Sequence, residues 1–290
     1  MALYTTLISV SQLQALQAQK APLMVFDCSG DLMNPASADA LFAQVHIAGA
    51  QRAHLDLHLS THDAALAVNG GRHPLPSRET VAAWLGRLGF TNAMQAVVYD
   101  RNGANYCGRL WWMLKWLGHD AVAVLDGGLQ AWQAAGGAVT SSVSSTAVQI
   151  AATSFQLHPP LRALVQTAEV LQQLGRATQT LIDARAAARY RGEVEPLDPI
   201  AGHIPGALNR PFSANLNAQG FFKSPEELRA EFASLLAGRD PATVVHHCGS
   251  GVSAVPNVLA MEIAGLGPSA LYAGSWSEWS NTPGLPCAKG

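Results

Sequence analysis

Ala242-Thr243-Val244-Val245-His246-His247-Cys248-Gly249-Ser250-Gly251-Val252-Ser253 reads as an apolar strand, a reactive-cysteine loop and the start of a helix that runs to about Ile263. Short β-branched runs that pass through small-residue turns into helices build open parallel sheets, and ligands of such sheets lie at the C-terminal ends of the strands, where Cys248 falls. Gly249 and Gly251 carry no Cβ, so consecutive amides of the loop, through Val252 and Ser253, can turn inward as an anion cradle with a helix N-terminus behind it. That setting stabilises a thiolate and makes Cys248 a candidate nucleophile. Pro256 agrees with a helix beginning just before it, since proline is tolerated in a first turn and poorly in a helix interior.

An inert buried cysteine is the plain alternative. Zinc held by His246, His247 and Cys248 fails on geometry, because adjacent strand residues point to opposite faces. Phosphate transfer calls for an arginine closing the six-residue turn, and that position is Ala254. No metal or organic cofactor is implied.

The chain has 290 residues, 49% hydrophobic and 13% charged, enough for one large core or two ordinary ones. A net charge of -2 leaves no basic stripe, so nucleic acid is not an expected partner. No apolar run reaches membrane length, and the Trp111-Trp112-Met113-Leu114 stretch is cut by Lys115, so no membrane partner is expected either. Cys28, Cys107, Cys248 and Cys287 lack the spacing of a disulfide framework. Met1 to Val10 lacks a basic start and a small-residue cleavage site before Lys20, and is read as a strand. With a functional thiol, this predicts a cytoplasmic protein.

An internal repeat sets the domain count. His46-Ile47-Ala48-Gly49-Ala50 recurs as His203-Ile204-Pro205-Gly206-Ala207. In the same order, Val25-Phe26-Asp27 matches Leu181-Ile182-Asp183, and Leu125-Asp126-Gly127-Gly128 with Trp132 matches Leu271-Tyr272-Ala273-Gly274 with Trp279. Val97-Val98-Tyr99-Asp100 matches Val244-Val245-His246-His247, directly or shifted by one. The expectation is an α/β protein of two like domains, residues 1–137 and 161–290, each a mainly parallel sheet flanked by helices, joined by a linker over 138–160. Leu13 and Leu16 after a capping Ser11, and Val170, Leu171 and Leu174 after a capping Thr167, mark two of the helices.

With these motifs, with Asp183-Ala184-Arg185 and Arg189-Tyr190-Arg191-Gly192, and with Gly274-Ser275-Trp276-Ser277-Glu278-Trp279, the chain resembles the tandem-domain rhodanese sulfurtransferases over essentially its full length. The resemblance implies a catalytic second domain and a first domain that has lost its cysteine, with Asp100 or Arg101 in its place. It also implies double displacement: Cys248 takes sulfur from a small-molecule donor as a persulfide and hands it to a thiol, such as thioredoxin or a small thiol, or to cyanide.

Family members that prefer thiosulfate carry cations directly after the cysteine, where Gly249 and Ser250 stand here. The Cys-Gly-Ser-Gly-Val pattern is similar to that of the 3-mercaptopyruvate group, so 3-mercaptopyruvate is the expected donor, with thiosulfate, or both donors, as the alternative. A noncatalytic binding module is the reading from another class. By motif position the resemblance assigns a proton-handling set of Ser250, His73 and Asp56, with His73 in Arg72-His73-Pro74-Leu75-Pro76; an ordinary loop histidine is the other reading of His73. Arg189 matches the family's donor-binding arginine, and Arg185 is expected in a structural ion pair. A second donor arginine found in some mercaptopyruvate enzymes would lie near Leu197 and is absent there; Arg210 is its candidate replacement, against a solvated surface arginine. His203 is expected to be structural, because His46 persists in the domain without the cysteine.

Overall fold

Strands alternate with helices along the described chain, which in this computed structural model comprises residues 3–32, 34, 37–141 and 153–290. The chain divides into a first unit of Met1–Leu66, Pro76–Leu161 and Gln219–Phe221 and a second of Ala67–Leu75, Arg162–Ala218 and Phe222–Gly290. The bulk of each half is thus one α/β unit, as the repeat predicts, but nine residues, Ala67–Leu75, leave the first half and belong to the second unit.

The first unit holds β1 (Leu7–Ile8), β2 (Leu23–Asp27), β3 (His46–Ile47), β4 (Gln51–Arg52), β5 (Gln95–Tyr99), β6 (Val122–Leu125) and β7 (Val139–Thr140). Its helices are α1 (Val10–Ala18), α2 (Ser37–Gln44), α3 (Arg78–Arg87), α4 (Cys107–Trp116) and α5 (Gly128–Ala134). Strands β1, β6, β5, β2 and β4 lie side by side in that order, all parallel, while β3 and β7 form an antiparallel pair. Central β5 is buried at every residue, as a strand covered on both faces must be.

The second unit repeats the plan with β8 (Thr180–Asp183), β9 (Leu208–Asn209), β10 (Val244–His247) and β11 (Ala270–Leu271), in the parallel order β11-β10-β8-β9. Its helices are α6 (Thr167–Gln172), α7 (Ala187–Tyr190), α8 (Pro225–Leu236), α9 (Val255–Ile263) and α10 (Ser275–Trp279).

Local starts differ from the expected ones for identifiable reasons. Ser9, not Ser11, caps α1, because Gln12 can return its side chain to the Ser9 amide and close a capping box. Gln166 precedes α6 and receives the Glu169 carboxylate on its amide at 2.7 Å, so Thr167 is already helical and its hydroxyl meets Tyr272 Oη at 2.8 Å. Of the first ten residues only Leu7–Ile8 are strand. Ala242 and Thr243 form a 3-10 turn capped by Asp240, and β10 begins at Val244. Of the expected linker, residues 142–152 lie outside the described residues; Val139–Thr140 pair with β3, and Phe155 stacks on Phe90 at 5.7 Å within the first unit.

The duplication extends to side-chain detail. His46 Nδ1 lies 2.7 Å from the Phe42 carbonyl and its ring stacks on Phe42 at 3.8 Å. His203 Nδ1 lies 2.8 Å from the Tyr190 carbonyl and its ring stacks on Tyr190 at 3.9 Å. In each unit one aromatic residue supplies both carbonyl and ring, which gives both histidines a structural task.

Register pairs Asp27 with Tyr99 and Asp183 with His247, so Asp100 stands where Cys248 stands and the shifted match is the right one. Asp100 is buried, and its carboxylate accepts from the amides of Asn102 (2.8 Å), Ala104 (3.1 Å), Tyr106 (2.8 Å) and Cys107 (2.9 Å). The anion cradle survives in the first unit, filled by its own side chain. Asp100→Ala would strand three buried donors and a partly buried one, each buried donor costing about 1–3 kcal/mol when unpaired and less where water enters. We expect a net loss of about 3 kcal/mol or more, read as a lower urea midpoint; a change below about 0.5 kcal/mol would reject this account of the loop.

Candidate active site

Cys248 directly follows β10, and the first turn of α10 fixes the backbone around it. The Cys248 amide donates to Ser275 Oγ (3.1 Å), the Trp276 amide donates to the Cys248 carbonyl (3.0 Å), and the Ser277 amide donates to the Gly249 carbonyl (2.8 Å). Ser275 holds φ at +57° and donates its hydroxyl to the Tyr272 carbonyl at 2.9 Å, which aims the oxygen that receives the cysteine amide. Gly251 has φ +74°, and a Cβ there would run into the Ala273 carbonyl oxygen. Both the angle and the close approach demand glycine. At the places that match the donors of the Asp100 cradle, the amides of Ser250, Val252 and Ala254 have no hydrogen bond to a protein acceptor among the described residues.

Residues Ala67–Leu75 bring a second set of side chains to this loop. The Val68 amide donates to the Leu75 carbonyl (2.8 Å) and the Leu75 amide to Asn69 Oδ1 (3.1 Å), closing the segment on itself. The Arg72 amide donates to Ser277 Oγ at 3.0 Å. One turn, residues 275–277, therefore sets the position of both the cysteine loop and this arm. In consequence His73 Nδ1 lies 2.7 Å from Ser250 Oγ, a pair 177 residues apart in the chain.

Beside the loop runs a ladder of alternating charge. Arg185 binds Asp183, with Nη2 to Oδ2 at 2.6 Å, and reaches Glu195 Oε2 at 3.3 Å. Arg189 binds Glu195 Oε1 at 2.6 Å and Asp198 Oδ2 at 3.2 Å, and Asp198 also holds Arg72. The Arg185 guanidinium lies over Trp276 at 4.8 Å, which completes its structural role. Burial pushes the Asp183 carboxyl up, but His247 and Arg185 beside it outweigh this and hold it below the usual carboxylate range. Burial raises Asp198 above that range despite its arginines. At Gly249, the point a Cβ would occupy is 3.0 Å from Arg72 Nη2 and 3.4 Å from Arg189 Nη1, so two guanidinium groups stand over the residue after the nucleophile.

The structure thus brings together Cys248, Gly249, Ser250, Gly251, His73 and Arg189. Val252 is buried within the turn and Ser253 is partly exposed. The Arg210 guanidinium is engaged by other side chains. It is buried, binds Asn215 Oδ1 (2.9 Å) and Glu231 (2.7 Å), and lies over Phe232, so it is not a solvated surface arginine. Arg72 is the arginine that sequence reasoning missed, although it adjoins His73 in the quoted motif. Asp56 lies in the first unit, its carboxylate 3.9 Å from His54 Nδ1 and its amide donating to that nitrogen at 3.1 Å. His246 and His247 face opposite ways, His246 to Met261 Sδ at 3.1 Å and His247 toward Tyr272; burial lowers the basicity of both, His246 to a pKa of about 3.

Two parallel-sheet units thus carry the same strand-end loop, one holding a cradled cysteine and the other a carboxylate in its place. The model of the Rhodanese-like domain matches residues 9–135 and 166–282, and the chain belongs to the rhodanese family of sulfurtransferases. It is 42% identical over 285 residues, 98% of each chain, to a "Probable 3-mercaptopyruvate sulfurtransferase" of Pseudomonas aeruginosa. To a "Putative thiosulfate sulfurtransferase SseB" of Mycobacterium tuberculosis it is 37% identical over 286 residues, 98% of this chain and 97% of the relative. Among solved structures, the 3-mercaptopyruvate sulfurtransferase from Leishmania major superposes with a TM-score of 0.82 at 30% identity, covering 97% of this chain and 76% of that one. Among the described residues no helix is long and apolar enough to cross a membrane.

Proposed function

We propose that the second unit transfers sulfane sulfur from 3-mercaptopyruvate, through a persulfide on Cys248, to a thiol or cyanide, releasing pyruvate. The observation that carries this reading is the 2.7 Å contact between His73 Nδ1 and Ser250 Oγ two residues from the nucleophile. Attack of the Cys248 thiolate on the donor sulfur forms the S–S bond as the carbon–sulfur bond breaks, and the electron pair stays on carbon as the enolate of pyruvate. The proton given up by the donor thiol ends on that carbon. With Nδ1 protonated, His73 donates to Ser250 Oγ and leaves the serine O–H to donate to the ketone oxygen, where enolate charge develops. The amides of Ser250, Val252 and Ala254 stabilise the persulfide anion. An acceptor then attacks the outer sulfur and restores the thiolate.

A second reading, thiosulfate as donor or as a co-donor, is favoured by one observation: although the loop carries no cation, Arg72 and Arg189 stand at Gly249. Asp56 as the acid that completes the Ser250–His73 set rests on the sequence resemblance. Thioredoxin-like or small thiols as acceptors rest on the sequence resemblance, and residence in the cytoplasm rests on the need to keep Cys248 reduced. The test is the initial rate with each donor alongside the intact mass of the protein. A gain of one sulfur atom on Cys248 with a kcat/KM for mercaptopyruvate orders of magnitude above that for thiosulfate is expected. A preference for thiosulfate would overturn the donor assignment, and no sulfur from either donor would overturn the mechanism.

A further inference from the structure

The 2.7 Å contact between His73 and Ser250 joins two distant stretches of the chain, and one residue grips the neighbour of each partner. Ser277, in α10, donates its amide to the carbonyl of Gly249 at 2.8 Å, directly before Ser250. Its Oγ accepts the amide of Arg72 at 3.0 Å, directly before His73. The Ser277 hydroxyl proton goes to the Gly274 carbonyl at 3.3 Å, within the same turn, which leaves the oxygen's lone pairs for the arm. The serine is 3% exposed, so water has little access to compete for that oxygen. Contact is close from the arm's side as well. Gly71 has φ +89°, and a Cβ there would lie 2.6 Å from Ser277 Oγ and 2.8 Å from the Gly274 carbonyl oxygen, so the arm's backbone rests directly on this turn.

We infer that Ser277 is a positioning residue for the Ser250–His73 pair: its amide sets where Ser250 stands, its hydroxyl sets where His73 stands, and the distance between the two follows from that one residue. The inference rests on the mercaptopyruvate reading above. Ser277 acts through its two neighbours and not on the donor. The Arg72 side chain is tied separately, because Asp198 holds the guanidinium. Loss of the Ser277 hydroxyl therefore frees the backbone at position 72 with the guanidinium still tethered, and the group that drifts is the ring of His73. Catalytic groups must stand within about 0.5 Å of their productive positions, and a misplacement of about 1 Å can cost about 10²-fold in rate.

The test uses the full chain carrying Ser277→Ala, Ser277→Thr or Ser277→Val, each also combined with His73→Ala. It reads steady-state kinetics with both donors and hydrogen exchange over residues 67–75. Threonine keeps the accepting oxygen, and valine has nearly the same shape without it. With mercaptopyruvate, kcat should fall about tenfold in Ser277→Ala and Ser277→Val with KM changed far less, and Ser277→Thr should recover most of the loss. The thiosulfate rate should change by less than about threefold. On the His73→Ala background, removing the hydroxyl should cost nothing further, because its effect runs through that ring. Exchange at the Arg72 amide should quicken about tenfold or more in Ser277→Ala and Ser277→Val. If the two branched side chains overfill the buried site and do not fold, Ser277→Ala and Gly71→Ala, which pushes the arm away from its other side, carry the same expectations. Parental kcat in Ser277→Ala beside a slowed His73→Ala, equal losses with both donors, or losses that add in the double variant would overturn the inference. Parental turnover of mercaptopyruvate in His73→Ala, or none in the parent, would strike the mercaptopyruvate reading itself and the inference with it.

Discussion

Cys248→Ser is expected to lower sulfur transfer from either donor by at least about 10⁴-fold and to abolish the gain of a sulfur atom seen by intact mass. A hydroxyl in the cradle has the wrong chemistry twice over, being a weak nucleophile near neutral pH and unable to carry sulfane sulfur. The substitution should leave the fold intact, since α10 holds position 248 through its backbone and Ser275 Oγ receives its amide whatever the side chain. No other cysteine is suited to replace it. Cys28 and Cys107 are buried in the first unit, where desolvation, with the nearby carboxylates Asp27 and Asp100, drives both thiols well above their ordinary pKa. Cys287 is exposed, and burial of its thiol still raises it. Transfer within tenfold of the parent, or a sulfur adduct that persists in the variant, would place the nucleophile elsewhere.

What could be read in the residues, and what could not, divides by range. The strand, loop and helix around Cys248 are written locally in β-branched residues, two glycines and a proline, and the structure has them with boundaries moved by two or three residues. The duplication was legible because both copies keep the aromatic-stacked histidine and the strand-end acid pattern. Caps were misplaced by one or two residues, since Ser9 and Ser11 both qualify and only the return of Gln12 decides between them.

Only the family resemblance linked the arm, through His73, to Ser250. Ala67–Leu75 has no hydrophobic period, its two glycines and one proline signal only a turn, and its partners Ser277 and Ser250 are about two hundred residues away. A reading by halves therefore gave Arg72 and His73 to the wrong unit. It sought the missing cation at Arg210, where long-range packing on Phe232 and Glu231 had already used the side chain. The loop-charge argument for the donor survives only in altered form: no cation lies in the loop, but two stand over it.

Ser250→Ala and His73→Ala carry the second large effect. If the serine hydroxyl, oriented by His73, stabilises the enolate, each variant should lose about 10²–10³ in kcat with mercaptopyruvate, the range found for removing one donor to a developing oxyanion. Because the two side chains act as one unit through a single 2.7 Å hydrogen bond, the double variant should be little slower than either alone. Thiosulfate supplies an internal control in the same proteins. Its leaving group, sulfite, departs as a stable anion and needs no help with carbon-centred charge, so its rate should fall only a few-fold. Equal losses with both donors would show that Ser250 and His73 shape the loop and do not act on the enolate. Additive losses would show that they act separately, and the hydrogen bond between them would then carry no catalytic meaning.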